Sequence, residues 1–447
     1  MTAAVTGEEI VGRGLREGKY LFAQWFMRLG QAAENGEQAA YVFVMGSLAE
    51  LLRAFDLHIV FPEINSLQTA VKKVSGEFLT VAEDYGYSPD VCGYVKADVA
   101  MQLQDGRHPM GRIPRPSIAV LTNACNTYLK WAEIWDRFYH IPLVTVDVPA
   151  SRSAATSGQL DDAALESDRR FVEQQLRELI VQLEALTGRP LDMDRFRQVL
   201  HDTNRMTRAW ARILELNRGT PSVFNALMDG TVYLGVANAL RGTPEGALYF
   251  ERLVEEMEYK AAHGISAIED EQHRLIFVGV PCYPIFRRFH ELFAEWGGSF
   301  VSSTYLWFAA GGMNLGFEYD LDRPIESLAE GVLRSVRAAT DAMMFHDRAL
   351  LEAIDVFHAD GVVYHPVKSC RTVSTGLADS RRVVLQQRDV QCLYIESDMM
   401  DQRVVSEAQL KNRIDAFFEG LNSRRLRRRA QEAPVAGPDA SATRVPA

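Results

Sequence analysis

Ala40-Tyr-Val-Phe-Val-Met45-Gly46 is a short apolar run closed by glycine, and it reads as a strand buried in a parallel sheet. Working outward, apolar positions from Val11 to Glu34 recur every three or four residues, the period of a helix. On the other side Ser47 suits the cap of a helix over Leu48 to Phe55. A second strand follows, Leu57-His-Ile-Val-Phe61, closed by Pro62, and Asn65 to Tyr85 reads as helical. Ile118 to Leu121 and Leu143 to Val148 are further strands, separated by a helix rich in tryptophan and tyrosine. Alternation of strand and helix argues for a parallel sheet covered on both faces.

From Leu160 to Asn217 the pattern is helical, with Gly188-Arg189-Pro190 as the turn between two long helices. Strands resume at Leu275 to Gly279, Phe300 to Ser302, Gly361 to Tyr364 and Cys392 to Glu396, and a helix covers Glu407 to Leu421. This gives an α/β fold with a second α/β unit. The expected division is an N-terminal helical segment (1–38), a first α/β domain (39–159), a helical connector (160–245), a second α/β domain (246–422) and a disordered tail (423–447). The tail opens on the arginine run Ser423 to Arg429, which suits either a solvated end or a docking segment.

The 447 residues are 47% hydrophobic and 24% charged, with a formal charge of −11. That is a globular composition with ample core material, and its acidity argues against a nucleic-acid binder. No basic, apolar leader stands at the N-terminus, and no apolar run reaches the ~18 residues of a membrane span. The expectation is a cytoplasmic protein with reduced thiols.

There are five cysteines, and their wide spacing fits no compact zinc motif. Cys92, Cys125 and Cys370 each fall where an apolar or β-rich segment gives way to a turn. In an α/β protein the carboxyl ends of parallel strands form the ligand-binding edge, so distant cysteines can meet there as thiolate ligands for an iron–sulfur cluster. A free cysteine is nonetheless more often a small buried hydrophobe. Cys282 also follows a strand and stays open as a ligand; Cys392, inside a strand, reads as core. Ser47 is a helix cap or a ligand contact. Glu63 is a solvated loop residue or a carboxylate that binds substrate or relays protons. His365 and Lys368, near Cys370, can tune a thiolate or supply a proton, with a surface role favoured for Lys368. Neither a phosphate-binding P-loop nor a dinucleotide fingerprint is present, so any ATP chemistry belongs to another chain.

The segments Val44-Met-Gly-Ser47, Phe61-Pro-Glu63, Asp90-Val-Cys92-Gly-Tyr, Leu121-Thr-Asn-Ala-Cys125-Asn, Gly361 to Cys370 and Leu393 to Asp401, in that order, resemble the benzoyl-CoA reductase and 2-hydroxyacyl-CoA dehydratase family. Within it the likeness is to the larger cluster-bearing subunit of ATP-dependent benzoyl-CoA reductase. The resemblance implies two Rossmann-like parallel-sheet domains with helical additions and a [4Fe–4S] cluster on Cys92, Cys125 and Cys370. It puts Ser47 and Glu63 at substrate-side positions. It also implies a sister subunit with a further [4Fe–4S] cluster, ATP-hydrolysing activator subunits and a low-potential donor such as ferredoxin. The implied reaction adds electrons to the ring of benzoyl-CoA, giving a cyclohexadiene carboxyl-CoA, in a site that excludes water. Trp131, Trp135, Tyr305 and Trp307 can wall such a site, although each also suits a plain core role. Two alternatives stand beside it: a subunit of a radical 2-hydroxyacyl-CoA dehydratase, and a non-catalytic electron-transfer or scaffold subunit.

Overall fold

The computed structural model describes residues 10–150, 162–344 and 347–432. Two four-stranded sheets, parallel throughout, organise it. The first contains β1 (Ala39–Tyr41), β2 (His58–Val60), β5 (Ile118–Thr122) and β6 (Leu143–Val146), in the order β2-β1-β5-β6. Between them β3 (Arg107–His108) and β4 (Gly111–Arg112) form a separate antiparallel ribbon. The second sheet, in the order β10-β9-β7-β8, contains β7 (His273–Gly279), β8 (Gly298–Ser303), β9 (Gly361–His365) and β10 (Gln391–Tyr394). The two Rossmann-like units and their helical additions thus match the α/β expectation.

The decisive apolar run is buried from Ala39 through Met45, yet only its first residues form a regular ladder. The Val42 N–H still donates to the Val60 carbonyl at 3.0 Å. The run then leaves the sheet through Gly46, whose φ is +69° and where a Cβ would lie 2.5 Å from Thr122 Oγ1. Glycine alone meets both demands without strain.

Four expectations differ from the structure. The helical stretch expected over Asn65 to Tyr85 is two helices, Pro62–Val71 and Ser75–Asp84, broken where Lys73 adopts φ +60°. Pro62, read as the end of a strand, is the first residue of a helix, a position that suits its fixed φ and missing N–H. The boundary placed after residue 245 falls inside the helix Pro244–Ala262, which packs against Met193–Leu216. The helical layer therefore continues to Ala262, and the N-terminal helix Arg13–Asn35 packs onto it. The Glu256 carboxylate there accepts from the backbone N–H groups of Gly12 and Gly14, at 2.6 Å each. The arginine run, expected at the start of a disordered tail, belongs to the last helix, Glu407–Glu432. Arg424 pairs with Asp389, so part of that run is fastened to the protein; 433–447 lie outside the described residues. Among the described residues no helix is long and apolar enough to cross a membrane.

Candidate functional site

Each sheet reverses its strand order once, between β1 and β5 in the first and between β7 and β9 in the second. Crevices beyond the carboxyl ends of strands at such reversals are the binding places of open α/β sheets. A cavity of about 520 Å3 takes residues from beyond all four of those strands: Val44 and Met45, Cys125, Val280, and Cys370. Cys92 and Glu63 complete it. The three cysteines expected to act together therefore line one space, and Glu63 lines it with them.

Every one of the three cysteines stands at the cap of a helix. Cys92 precedes Gly93–Leu103, Cys125 precedes Asn126–Tyr139 and Cys370 precedes the single turn Arg371–Ser374. Cys92 follows no strand; it ends the loop after the helix Ser75–Asp84. All three are free thiols with a partly accessible face. Burial pushes the Cys92 thiol far above its usual range, and the nearby Cys370 adds to this. Burial likewise raises Cys370 to about 11, while the Val373 and Thr372 backbone N–H groups pull it down. Backbone N–H groups of Val95 and Tyr94 do the same for Cys92. Cys125 Sγ lies 3.5 Å from Thr372 Oγ1, which brings the Cys125 and Cys370 loops together.

Among the described residues no group of three His, Cys, Asp or Glu side chains converges to hold a single metal ion. A single ion needs its donors about 2.3 Å from one point, whereas a multi-iron cluster takes thiolates spread around a larger body. Three thiols from three helix ends, facing one cavity, with backbone N–H donors at Cys92 and Cys370, fit the larger group. Metal binding would supply the positive charge that ionises these buried thiols.

Glu63 stands in the first turn of Pro62–Val71 and is 7% exposed, so the solvated-loop reading does not hold. Its Oε2 accepts from the Val44 backbone N–H at 2.7 Å, and its Oε1 accepts from the Tyr128 hydroxyl at 2.5 Å. Burial raises its pKa to about 7, against the lowering effect of both hydrogen bonds. Tyr94, Tyr283 and Tyr305 lie nearby and are coupled electrostatically to Glu63. The Tyr94 and Tyr283 hydroxyls are buried and, among the described residues, have no partner of hydrogen-bond geometry. Ser47 is buried too, but its Oγ accepts from the Ala49 N–H at 3.1 Å and it is not part of the cavity lining.

His365 is fully buried between the Val280 carbonyl, 2.6 Å from Nδ1, and Ser397 Oγ, 2.5 Å from Nε2. Burial lowers its pKa to about 4, so it is neutral at physiological pH and braces two loops. Lys368 is exposed and faces Glu396 at 3.4 Å. Cys282 is wholly buried outside the cavity lining. Cys392 lies in β10 as expected.

The sequence pattern describing the 2-hydroxyglutaryl-CoA dehydratase D-component matches residues 47–421. The chain belongs to this family, which joins benzoyl-CoA reductase and 2-hydroxyacyl-CoA dehydratase subunits. It is 31% identical to a subunit of the benzoyl-CoA reductase of Thauera aromatica, over 95% of this chain and 98% of that one. It is 26% identical to the (R)-2-hydroxyisocaproyl-CoA dehydratase alpha subunit of Clostridioides difficile, covering 92% and 97% of the two chains. With the (R)-2-hydroxyglutaryl-CoA dehydratase alpha subunit of Acidaminococcus fermentans it shares 24% identity, covering 89% and 94%.

Several site residues of this family member escape a reading of the sequence. Tyr128 is one; its place in the first turn after Cys125 is the available signal. Asp98 is another: one carboxylate oxygen accepts from the indole N–H groups of both Trp131 and Trp135, at 2.7 Å each. Trp131 thus lines the cavity and serves the core at once. Ser369, adjacent to Cys370, also lines the cavity.

Proposed function

We propose that this chain is the cluster-bearing subunit of an ATP-dependent benzoyl-CoA reductase, acting in the cytoplasm. The observation that carries the reading is the convergence of Cys92, Cys125, Cys370 and Glu63 on one cavity at the strand-order reversals of both sheets. The 31% identity to a benzoyl-CoA reductase subunit over nearly the whole chain supports the choice of reaction. In this reading the three thiols hold a [4Fe–4S] cluster that, when bound, supplies low-potential electrons singly to the thioester-activated ring. Partner subunits hydrolyse ATP and carry a further cluster, and a donor such as ferredoxin feeds them.

The chain's own residues supply the rest. Glu63, with a pKa near neutrality, can hold or release a proton at the cavity wall. Trp131, Ile134, Tyr305 and Phe308 give that wall an apolar lining that excludes water. Ser47 acts through the Ala49 N–H by fixing the turn after Gly46. A second cavity, about 400 Å3, shares Val44 and Tyr305 with the first. It is lined by Ile64, Leu67 and Leu234, with the exposed Lys19 and Lys72 also on its wall. An apolar acyl-thioester arm with an anionic end suits that lining.

Glu63 facing the cavity speaks against a purely structural subunit. The dehydratase reading keeps the support of the dehydratase relatives. Anaerobic co-production with partner subunits and assay with benzoyl-CoA separates the two. Stoichiometric consumption of ATP and electrons, with loss of the aromatic absorbance, supports the reductase. Turnover of a 2-hydroxyacyl-CoA after a catalytic priming dose of ATP overturns it.

A further inference from the structure

Ser369 lies between two of the cysteine loops and has a hydroxyl that no described residue engages. The residue is 8% exposed, lines the thiol cavity, and its Oγ has no hydrogen-bond partner among the described residues. Leaving a buried hydroxyl unpaired costs free energy, and in a native fold it asks for an explanation. Ser369 is the residue before Cys370. Its Oγ is also 3.4 Å from where a Cβ on Gly93, the residue after Cys92, would stand.

Its position is held rigidly. The Ser369 backbone N–H donates to Asp398 Oδ2 at 2.8 Å. Asp398 Oδ1 accepts from the N–H groups of Met400 and Asp401, at 2.8 and 3.0 Å. Met400 in turn packs so closely on Gly93 that a Cβ there would meet Met400 Cβ at 2.6 Å. One carboxylate therefore locks the loop of Cys370 against the segment that abuts the loop of Cys92. A donor fixed this way needs no reorganisation when charge arrives beside it.

We propose that the Ser369 hydroxyl donates a hydrogen bond to the sulfur shell of the cluster held by Cys92, Cys125 and Cys370, and thereby raises its reduction potential. The inference rests on the reading of those cysteines as cluster ligands. Reduction adds one electron and increases the negative charge on the sulfurs. A hydrogen bond to sulfur stabilises the more negative state, one of the ways a protein sets a cluster potential. The proton stays on the serine oxygen, and no bond is made or broken.

The test is an EPR-monitored redox titration of the anaerobically assembled complex, with iron and sulfide determined on the same samples. It compares wild type, Ser369→Ala and Ser369→Thr. The expected result is a more negative midpoint for Ser369→Ala at unchanged iron content, with Ser369→Thr restored toward wild type. An unchanged midpoint in the alanine variant overturns the proposal. So does loss of iron from it, which would make Ser369 a ligand or a prop. A threonine variant shifted as far as the alanine one also overturns it, because packing would then be the cause. Wild-type complex without iron on this chain would instead overturn the function proposed above.

Discussion

Two parts of one cavity bury acidic groups to different effect. Around Cys92, Cys125 and Cys370 the chain places helix caps and, at Cys92 and Cys370, backbone N–H groups, yet burial outweighs those groups and keeps both thiols protonated at neutral pH. Around Glu63 it offers one backbone N–H and one phenol, and burial outweighs both, so the carboxyl stays largely protonated up to about pH 7. Distance alone does not account for the difference, since Tyr128 belongs to the same helix that Cys125 caps. What differs is the group itself: burial brings a carboxyl up only to about 7, whereas it carries a thiol well above neutrality. The comparison teaches that one buried site can keep thiols protonated until a metal supplies positive charge, and a neighbouring carboxyl ready to give up a proton near neutrality.

The thiol side breaks most completely. Alanine at Cys92, Cys125 or Cys370 is expected to strip nearly all of the roughly four irons of a cluster from this chain. Far-UV circular dichroism should remain unchanged. Three variants of which only two lose iron would reduce the ligand set.

Next is the acid. Because burial raises the folded-state pKa of Glu63 from 4.5 to about 7, the folded chain binds that proton more tightly than the unfolded chain. The associated stability is fully present below pH 4.5 and is lost as pH rises through about 7, an effect on the order of 3 kcal/mol. Glu63→Gln should flatten this part of the pH–stability curve in urea unfolding. Parallel curves for variant and wild type would mean that Glu63 is not the group titrating.

Tyr128→Phe tests the same wall more finely. It removes the donor that holds the Glu63 charge in check, so the carboxyl pKa should move further up. Infrared titration of the protonated carboxyl band reads that shift. The expected stability loss is about 1 kcal/mol at low pH, where the acid is neutral.

The smallest effect is expected at the rim. Lys130 lines the cavity but is exposed and pairs with Glu133 on its own helix. Lys130→Ala should change stability by less than about 0.5 kcal/mol. A larger loss in thermal melts would show that the rim contributes to the site's rigidity.

Much of the scaffold could be read from periodicity, because strands buried on both faces leave unbroken apolar runs such as 40–46 and 275–279. Pro62 misled because proline closes strands and opens helices with equal ease, and only the position of its neighbours in space decides which. That error hid the burial of Glu63. The three cysteines were visible through their turn context and the family resemblance, but their helix-cap geometry was not, since cysteine is not a residue that marks caps. Ser369 and Asp98 were invisible for another reason. Their importance lies in partners far along the chain, or in having none, and spacing within a segment encodes neither.

Asp98 carries a consequence of its own. It stands as far along its helix from Cys92 as Trp131 does along the next helix from Cys125. The bond between them works as a tie bar that fixes the rotation and offset of two helices whose leading ends are thiols. Conformational entropy lost in setting the Cys92–Cys125 spacing is therefore spent when the core forms, whether or not a metal binds. Zinc fingers gain their fold from the metal; here the fold would wait for it, and iron depletion should leave a compact chain ready to be reloaded.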